Sequence, residues 1–144
     1  MVGHIAVHGN AAISDGAMPV VISYSSQGAI AKAPSTATLP YTGKVHFTFQ
    51  NPPIPTSQKG FTITSLEAEV VTNIADFKQV DLYSGGSHLN SFPVPPLKVT
   101  ALGSMGPYES DSGLDVAYVI TFKATPAGTP PSSVLFNGVD IEYN

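Results

Sequence analysis

Apolar and polar residues alternate with a period of two along most of this chain, and turn formers interrupt the alternation at roughly every 8–12 positions. Successive side chains on a strand point to opposite faces, so this pattern describes half-buried strands. The clearest case is Lys44–Gln50 (KVHFTFQ), where Val45, Phe47 and Phe49 share one face and His46, Thr48 and Gln50 the other. The first face is core, and the second is wet or lies at an interface. Comparable strands are expected at Val2–His8, Val20–Tyr24, Ala29–Ala33, Phe61–Thr72, Phe77–Tyr83, His88–Phe92, Leu97–Leu102 and Val139–Tyr143. Two phase breaks predict bulges: one near Ser65, and one after Phe77, which is out of phase with Val80 and Leu82. Val116–Ala124 (VAYVITFKA) is apolar on both faces and reads as a central strand. Ser84-Gly85-Gly86 marks a hairpin. The three prolines of Asn51–Gly60 exclude a central strand there. The one helical candidate, Ser65–Asn73, is rich in β-branched residues and lies within the strand-type alternation. The expected fold is all-β: a single-domain, antiparallel, two-sheet β-sandwich, jelly-roll-like, of about eight to ten strands.

Composition narrows the function classes. The 144 residues include no Cys, so disulfides and thiolate metal sites are excluded. Charged residues make up 11% of the chain against about 25% in an ordinary soluble domain. There is no Arg, and the six lysines (Lys32, Lys44, Lys59, Lys78, Lys98, Lys123) are scattered singly in a chain of net charge −4. Phosphate neutralisation needs a basic stripe, so a nucleic-acid partner is not expected. No apolar run approaches the roughly 18–20 residues of a membrane-spanning helix. The opening MVGHIAVHGN has neither the basic nor the apolar region of a classical signal peptide. That leaves the compartment open, either cytoplasm or export by another route. A neutral, hydroxyl-rich surface suits contact with copies of the same chain or with neutral glycans. A homo-oligomer is expected from the two-sided apolar strand Val116–Ala124 and the apolar stretch Ala29–Ala33.

Several segments together resemble a known family. The opening HIAVHGN, the KVHFTF strand, the FKQVDLYSGG strand and turn, and the ending VAYVITFKA…VLFNGVDIEY are similar to an uncharacterised bacterial family of small single-domain proteins. The resemblance spans nearly the whole chain and rests on His8, Gly9 and Asn10 in the opening motif and Tyr83 and Gly85 in the central hairpin. It implies a β-sandwich and no established activity, and it assigns no catalytic role.

The candidate constellations are few. His4 and His8 have the spacing of a helical metal pair, but four residues of strand rise about 13 Å, so the two rings share a face and not an ion. Glu109, Asp111 and Asp115 form the densest carboxylate cluster (YESDSGLD). Calcium takes roughly six to eight oxygens, which such a loop can help supply, although the register of an EF-hand is missing. A solvated acidic turn is the plainer reading. Glu67 and Glu69 share a strand face, with Asp81 a candidate partner across the sheet, in the manner of paired glycosidase carboxylates. A solvated strand face explains them as well. No G-x-S-x-G elbow is present. Ser87-His88 cannot act as neighbours, because adjacent strand side chains point apart. Amphipathic Tyr and Asn residues near strand ends are the remaining resource, with Asn10, Tyr83, His88, Asn90 and Tyr108 as candidate ligand-binding residues. Turn chemistry uses the same residue types.

Three functions follow. The first is a non-catalytic, lectin-like binding module for neutral glycans. The second is a self-assembling structural subunit forming a filament or shell. The third is an enzyme of unrecognised type depending on His8, His46 or His88.

Overall fold

In a computed structural model of the chain, residues 3–51, 60–93 and 113–144 are described with their side chains, and residues 98–108 by their backbone. The strands are β1 (Gly3–His8), β2 (Ile13–Ser14), β3 (Val21–Ser25), β4 (Gly28–Lys32), β5 (Tyr41–Phe49), β6 (Phe61–Asn73), β7 (Ala75–Ser84), β8 (Ser87–Pro93), β9 (Lys98–Tyr108), β10 (Leu114–Phe122) and β11 (Ser133–Tyr143). A single 3-10 turn, Gly9–Ala11, is the only helical piece among the described residues.

Strands β4 to β11 pair as nested antiparallel hairpins: β7 with β8, β6 with β9, β5 with β10, and β4 with β11. Successive pairs alternate between sheets. The first sheet runs β3-β4-β11-β6-β9, with β1 also on β11, and the second runs β2-β5-β10-β7-β8. A long ribbon wrapped in this way is the jelly-roll arrangement of a two-sheet sandwich.

The period-two pattern sets the core between the sheets. Val45, Phe47 and Phe49 of β5 are buried, as are Val116, Tyr118, Ile120 and Phe122 of β10. Phe136 of β11 crosses from the first sheet to meet Phe47, Tyr118 and Phe77 of the second, with ring centres 5.0, 5.8 and 5.9 Å apart. Offset and edge-to-face rings at such distances add to plain burial. Both expected bulges are present. In β6 the pairing with β11 steps from Ile63 to Ser65, leaving Thr64 as the extra residue. In β7 the pairing with β10 steps from Phe77 to Gln79, leaving Lys78.

Some boundaries differ from expectation. β9 continues to Tyr108, β11 begins at Ser133, and the two-residue β2 adds an edge to β5. The proline-bearing stretch 52–59, and residues 94–97 and 109–112, lie outside the described residues. Many of the apolar residues that motivated a homo-oligomer are covered within one chain, while Ile30 and Ala33 are half-buried and Ala124 is exposed. Ala29 and Ala31 belong to the core, and Ala117 and Val119 on the outward face of β10 are buried as well.

The His8-Gly9-Asn10 motif has a structural use. One edge of β11 is shared, with β4 along Val134–Phe136 and β1 along Gly138–Tyr143. At the changeover Gly9 and Gly28 lie against the β11 backbone, where a Cβ on either would collide with the Phe136 carbonyl oxygen. Gly28 also sits at φ +142°, a conformation that L side chains rarely adopt. Asn10 donates to the Ser25 carbonyl at 2.7 Å, and its own amide donates to His8 Nδ1 at 3.2 Å.

Candidate functional site

The outer face of the second sheet carries a connected polar network. Register brings it together: His46 of β5, Ala117 of β10, Asp81 of β7 and Ser91 of β8 lie in one row across the sheet. Thr48, Asp115, Tyr83 and His88 form the next row. Lys44, Val119, Gln79 and Pro93 form a third.

His46 sits between two carboxylates. Its Nδ1 is 2.7 Å from Asp115 Oδ2, and its Nε2 is 2.6 Å from Asp15 Oδ1, on the segment that follows β2. A neutral imidazole carries one N–H, so one of these two acceptors would face a bare nitrogen; the imidazolium satisfies both. Consistent with this, the bond to Asp115 holds His46 above its ordinary range. Burial opposes that shift, and Asp15 adds to it. Asp15 itself is pushed up by burial, but His46 and the Met18 and Ala17 amides outweigh this and hold it below the usual carboxylate range. The ring lies between the carboxylates rather than beside them, so the three groups do not converge on a point as metal ligands must. Among the described residues no cluster of three His, Asp or Glu side chains is placed to hold a metal ion.

Beside this triad is a sheltered ion pair. Lys44 Nζ is 2.8 Å from Asp81 Oδ2, with side chains 11% and 6% exposed. The lysine must cross β10 to reach β7, and the small Ala117 leaves it room. Asp81 Oδ1 accepts from Ser91 Oγ at 2.6 Å and from Gln79 Nε2 at 2.7 Å. Burial pulls the Lys44 ammonium down, but Asp81 and Tyr83 hold it above the usual lysine range. Burial raises Asp81, but Lys44, Ser91 and Gln79 bring it below its ordinary value.

Tyr83 links the two parts. Its hydroxyl accepts from Lys44 Nζ at 2.5 Å. The ammonium is 4.8 Å from the ring centre. An ammonium over the middle of the ring would be farther from the hydroxyl, so Lys44 stands at the hydroxyl end. The ring, half-buried, is flanked by His46 at 6.3 Å and by His88, edge-on, at 5.4 Å. His88 Nε2 is 2.7 Å from Ser91 Oγ. The order Asp81–Ser91–His88 puts the serine in the middle, with its proton on the carboxylate side. A histidine that activates a serine must instead receive that proton.

Of the six carboxylate oxygens of Asp15, Asp81 and Asp115, five have partners. The exception is Asp115 Oδ1, which is buried and without a hydrogen bond.

The structure therefore brings Tyr83, His88 and Asp115 to one face. Asn90 lies on β8 of the same sheet, opposite Leu82, and its Oδ1 accepts from the Ser91 amide. Asn10 is elsewhere, at the β1–β4 changeover on the first sheet. Tyr108 ends β9 of the first sheet, and its side chain lies outside the described residues, as do Glu109 and Asp111 of the expected calcium loop. Glu67 and Glu69 are on β6 of the first sheet and Asp81 on β7 of the second, so the expected cross-sheet carboxylate set does not form. Other strand-end amides and phenols serve the backbone. Asn73 donates to the Pro131 carbonyl, Asn137 to Gln27, Tyr24 to Ala12 and Tyr41 to Pro19.

Sequence reasoning missed Asp15, Lys44, Gln79 and Ser91. The usable signal was the wet face of KVHFTFQ, which shows Lys44 and His46 side by side but not which strands flank them. Comparison of the chain with protein-family profiles, with curated proteins and with solved structures finds no match.

Proposed function

We propose that the protein is a non-catalytic binding module that takes a neutral glycan or similar polyol on the outer face of its second sheet. The observation that carries this reading is the half-buried Tyr83 ring, held at its hydroxyl by Lys44 and framed by His46 and His88. A phenol ring offers its face to the C–H side of a sugar. Imidazole, carboxylate and hydroxyl groups around it offer donors and acceptors to sugar hydroxyls. The groups are already bonded to one another, so the face is ordered before a ligand arrives, which reduces the entropy cost of binding. Asp115 Oδ1, the one of the six oxygens of Asp15, Asp81 and Asp115 without a partner, is buried, so a ligand hydroxyl or a calcium ion would reach it only after the side chain turns outward.

A glycan array with and without calcium, followed by calorimetry on the best hit, tests this. Saturable binding is expected, weakened about tenfold or more in Tyr83→Ala and less in His88→Ala, as for loss of one aromatic contact. An array blank under both conditions, or a hit indifferent to Tyr83→Ala, removes the reading.

A further inference from the structure

A cavity separate from that face opens at the end of the first sheet, between the start of β3, the segment after β4 and the segment before β11. Its volume is about 460 Å³, and it is lined chiefly by Val21, Ala33, Pro34, Ala37, Leu39 and Pro131. That is within the roughly 300–1,000 Å³ of small-molecule sites, which are mostly apolar with a few placed polar groups. Val21 and Leu39 are among the few large apolar side chains left exposed.

The polar residues in the lining are three. Ser132 is already committed: its hydroxyl donates to the Ile74 carbonyl at 2.6 Å and accepts from the Lys123 amide at 3.2 Å. Ser35 is exposed. Lys32 lies opposite Val21 in the β3–β4 register. Two other lysines have carboxylate partners, Lys44 with Asp81 and Lys123 with Asp76. Lys32 has no ion pair among the described residues, and no carboxylate is among the residues that line the cavity. An apolar wall with one uncompensated cation in its lining matches one ligand chemistry.

We propose that this cavity binds a small amphipathic carboxylate, its apolar body against Val21, Ala37 and Leu39 and its anionic head at the Lys32 ammonium. The carboxylate supplies the charge that Lys32 lacks, and the hydrocarbon covers side chains that otherwise face water.

Calorimetric titration of the whole chain with octanoate, octanol and octyltrimethylammonium distinguishes the terms. Octanoate is expected to bind saturably at one per chain, octanol about tenfold more weakly, and the cation not at all. Lys32→Met, a substitution at a partly exposed position, is expected to retain the fold and erase the preference for octanoate over octanol. Ala37→Trp fills the cavity and abolishes uptake of both. Its melting transition, compared with that of the parent chain, separates a filled cavity from a lost fold. The proposal is overturned if octanoate shows no saturation, if octanol binds as tightly, if Lys32→Met leaves the preference intact, or if the chain sediments as a dimer that takes up no octanoate.

Discussion

Each outer face of this sandwich holds an imidazole between two carboxylates, and the two are built differently. On the first sheet His4 stands 3.2 Å from Asp140 and 3.6 Å from Glu142, with its side chain 57% exposed. On the second sheet His46 stands 2.6 Å from Asp15 and 2.7 Å from Asp115, with its side chain 18% exposed. His4 and its partners come from two paired strands, with Glu142 directly opposite and Asp140 on the diagonal. His46 draws its partners from two sides, β10 and the segment after β2. One imidazole and two carboxylates make a loose surface contact in one place and a short, sheltered bridge in the other. Shelter comes from what surrounds the group, here Lys44, Asp81 and Tyr83, and not from the residue types themselves.

The strongest way to break the second region is through its buried ion pair. Asp81→Ala leaves the Lys44 ammonium sheltered and unpaired and is expected to destabilise the protein by about 3–5 kcal/mol. The urea midpoint reads this, and a loss below about 1 kcal/mol would mean that water reaches Lys44 freely. Next in size, His46→Ala leaves Asp15 and Asp115 without their shared donor and is expected to cost about 1–3 kcal/mol. His4→Ala on the other face is expected to change stability by no more than about 0.5 kcal/mol. Equal losses would abolish the distinction drawn between the faces.

The pH dependence gives a smaller and more specific effect. His46 is held above its ordinary 6.5, so its stabilising contribution is complete below pH 6.5 and is lost as pH rises through the raised value. Asp15 is held below 3.8, so its contribution is complete above pH 3.8 and is lost as pH falls through the lowered value. Urea unfolding is therefore expected to show maximal benefit from this bridge between those limits. The decline on the alkaline side should vanish in His46→Gln, and a parent chain with no such decline would mean that the ring is neutral. The smallest effect is salt. At 1 M ionic strength the screening length is about 3 Å, so coupling between His4 and Asp140 in a double-mutant cycle is expected to disappear while that between His46 and Asp115 persists. Equal salt sensitivity would show that the two faces are equally wet.

Much of the fold was legible because period two reports face directly. Val45, Phe47 and Phe49 were assigned to the core from alternation alone, and the bulges at Thr64 and Lys78 showed as breaks in phase. The first half of β11 was not legible. Asn137-Gly138 resembles a turn signal, but here it marks an irregularity in a continuing strand, with the Asn137 amide bonded to the Gln27 carbonyl. The candidate site was legible only in part, since Tyr83, His88 and Asp115 were singled out for separate reasons. What joins them is lateral order: β5 meets β10, and β10 meets β7, although these strands are far apart in sequence. Alternation within a strand carries no information on its neighbours. The small residue that lets Lys44 reach Asp81, Ala117, acquires its meaning only once that order is known.

The nesting of the hairpins also sets an order of events during folding. The turn at Gly85-Gly86 joins β7 to β8 and closes the shortest loop of the nested pairs. Each outer pair must then close a longer loop, and the outermost, β1 with β11, joins Gly3 to Tyr143. Loop closure opposes every such step before contacts reward it, so folding on the scale of roughly milliseconds to seconds is expected for this topology. On the ribosome β1 has no partner until β11 has emerged. For most of synthesis the His8-Gly9-Asn10 strand end therefore waits as an open edge, and its glycine is shaped for a backbone that has not yet been made.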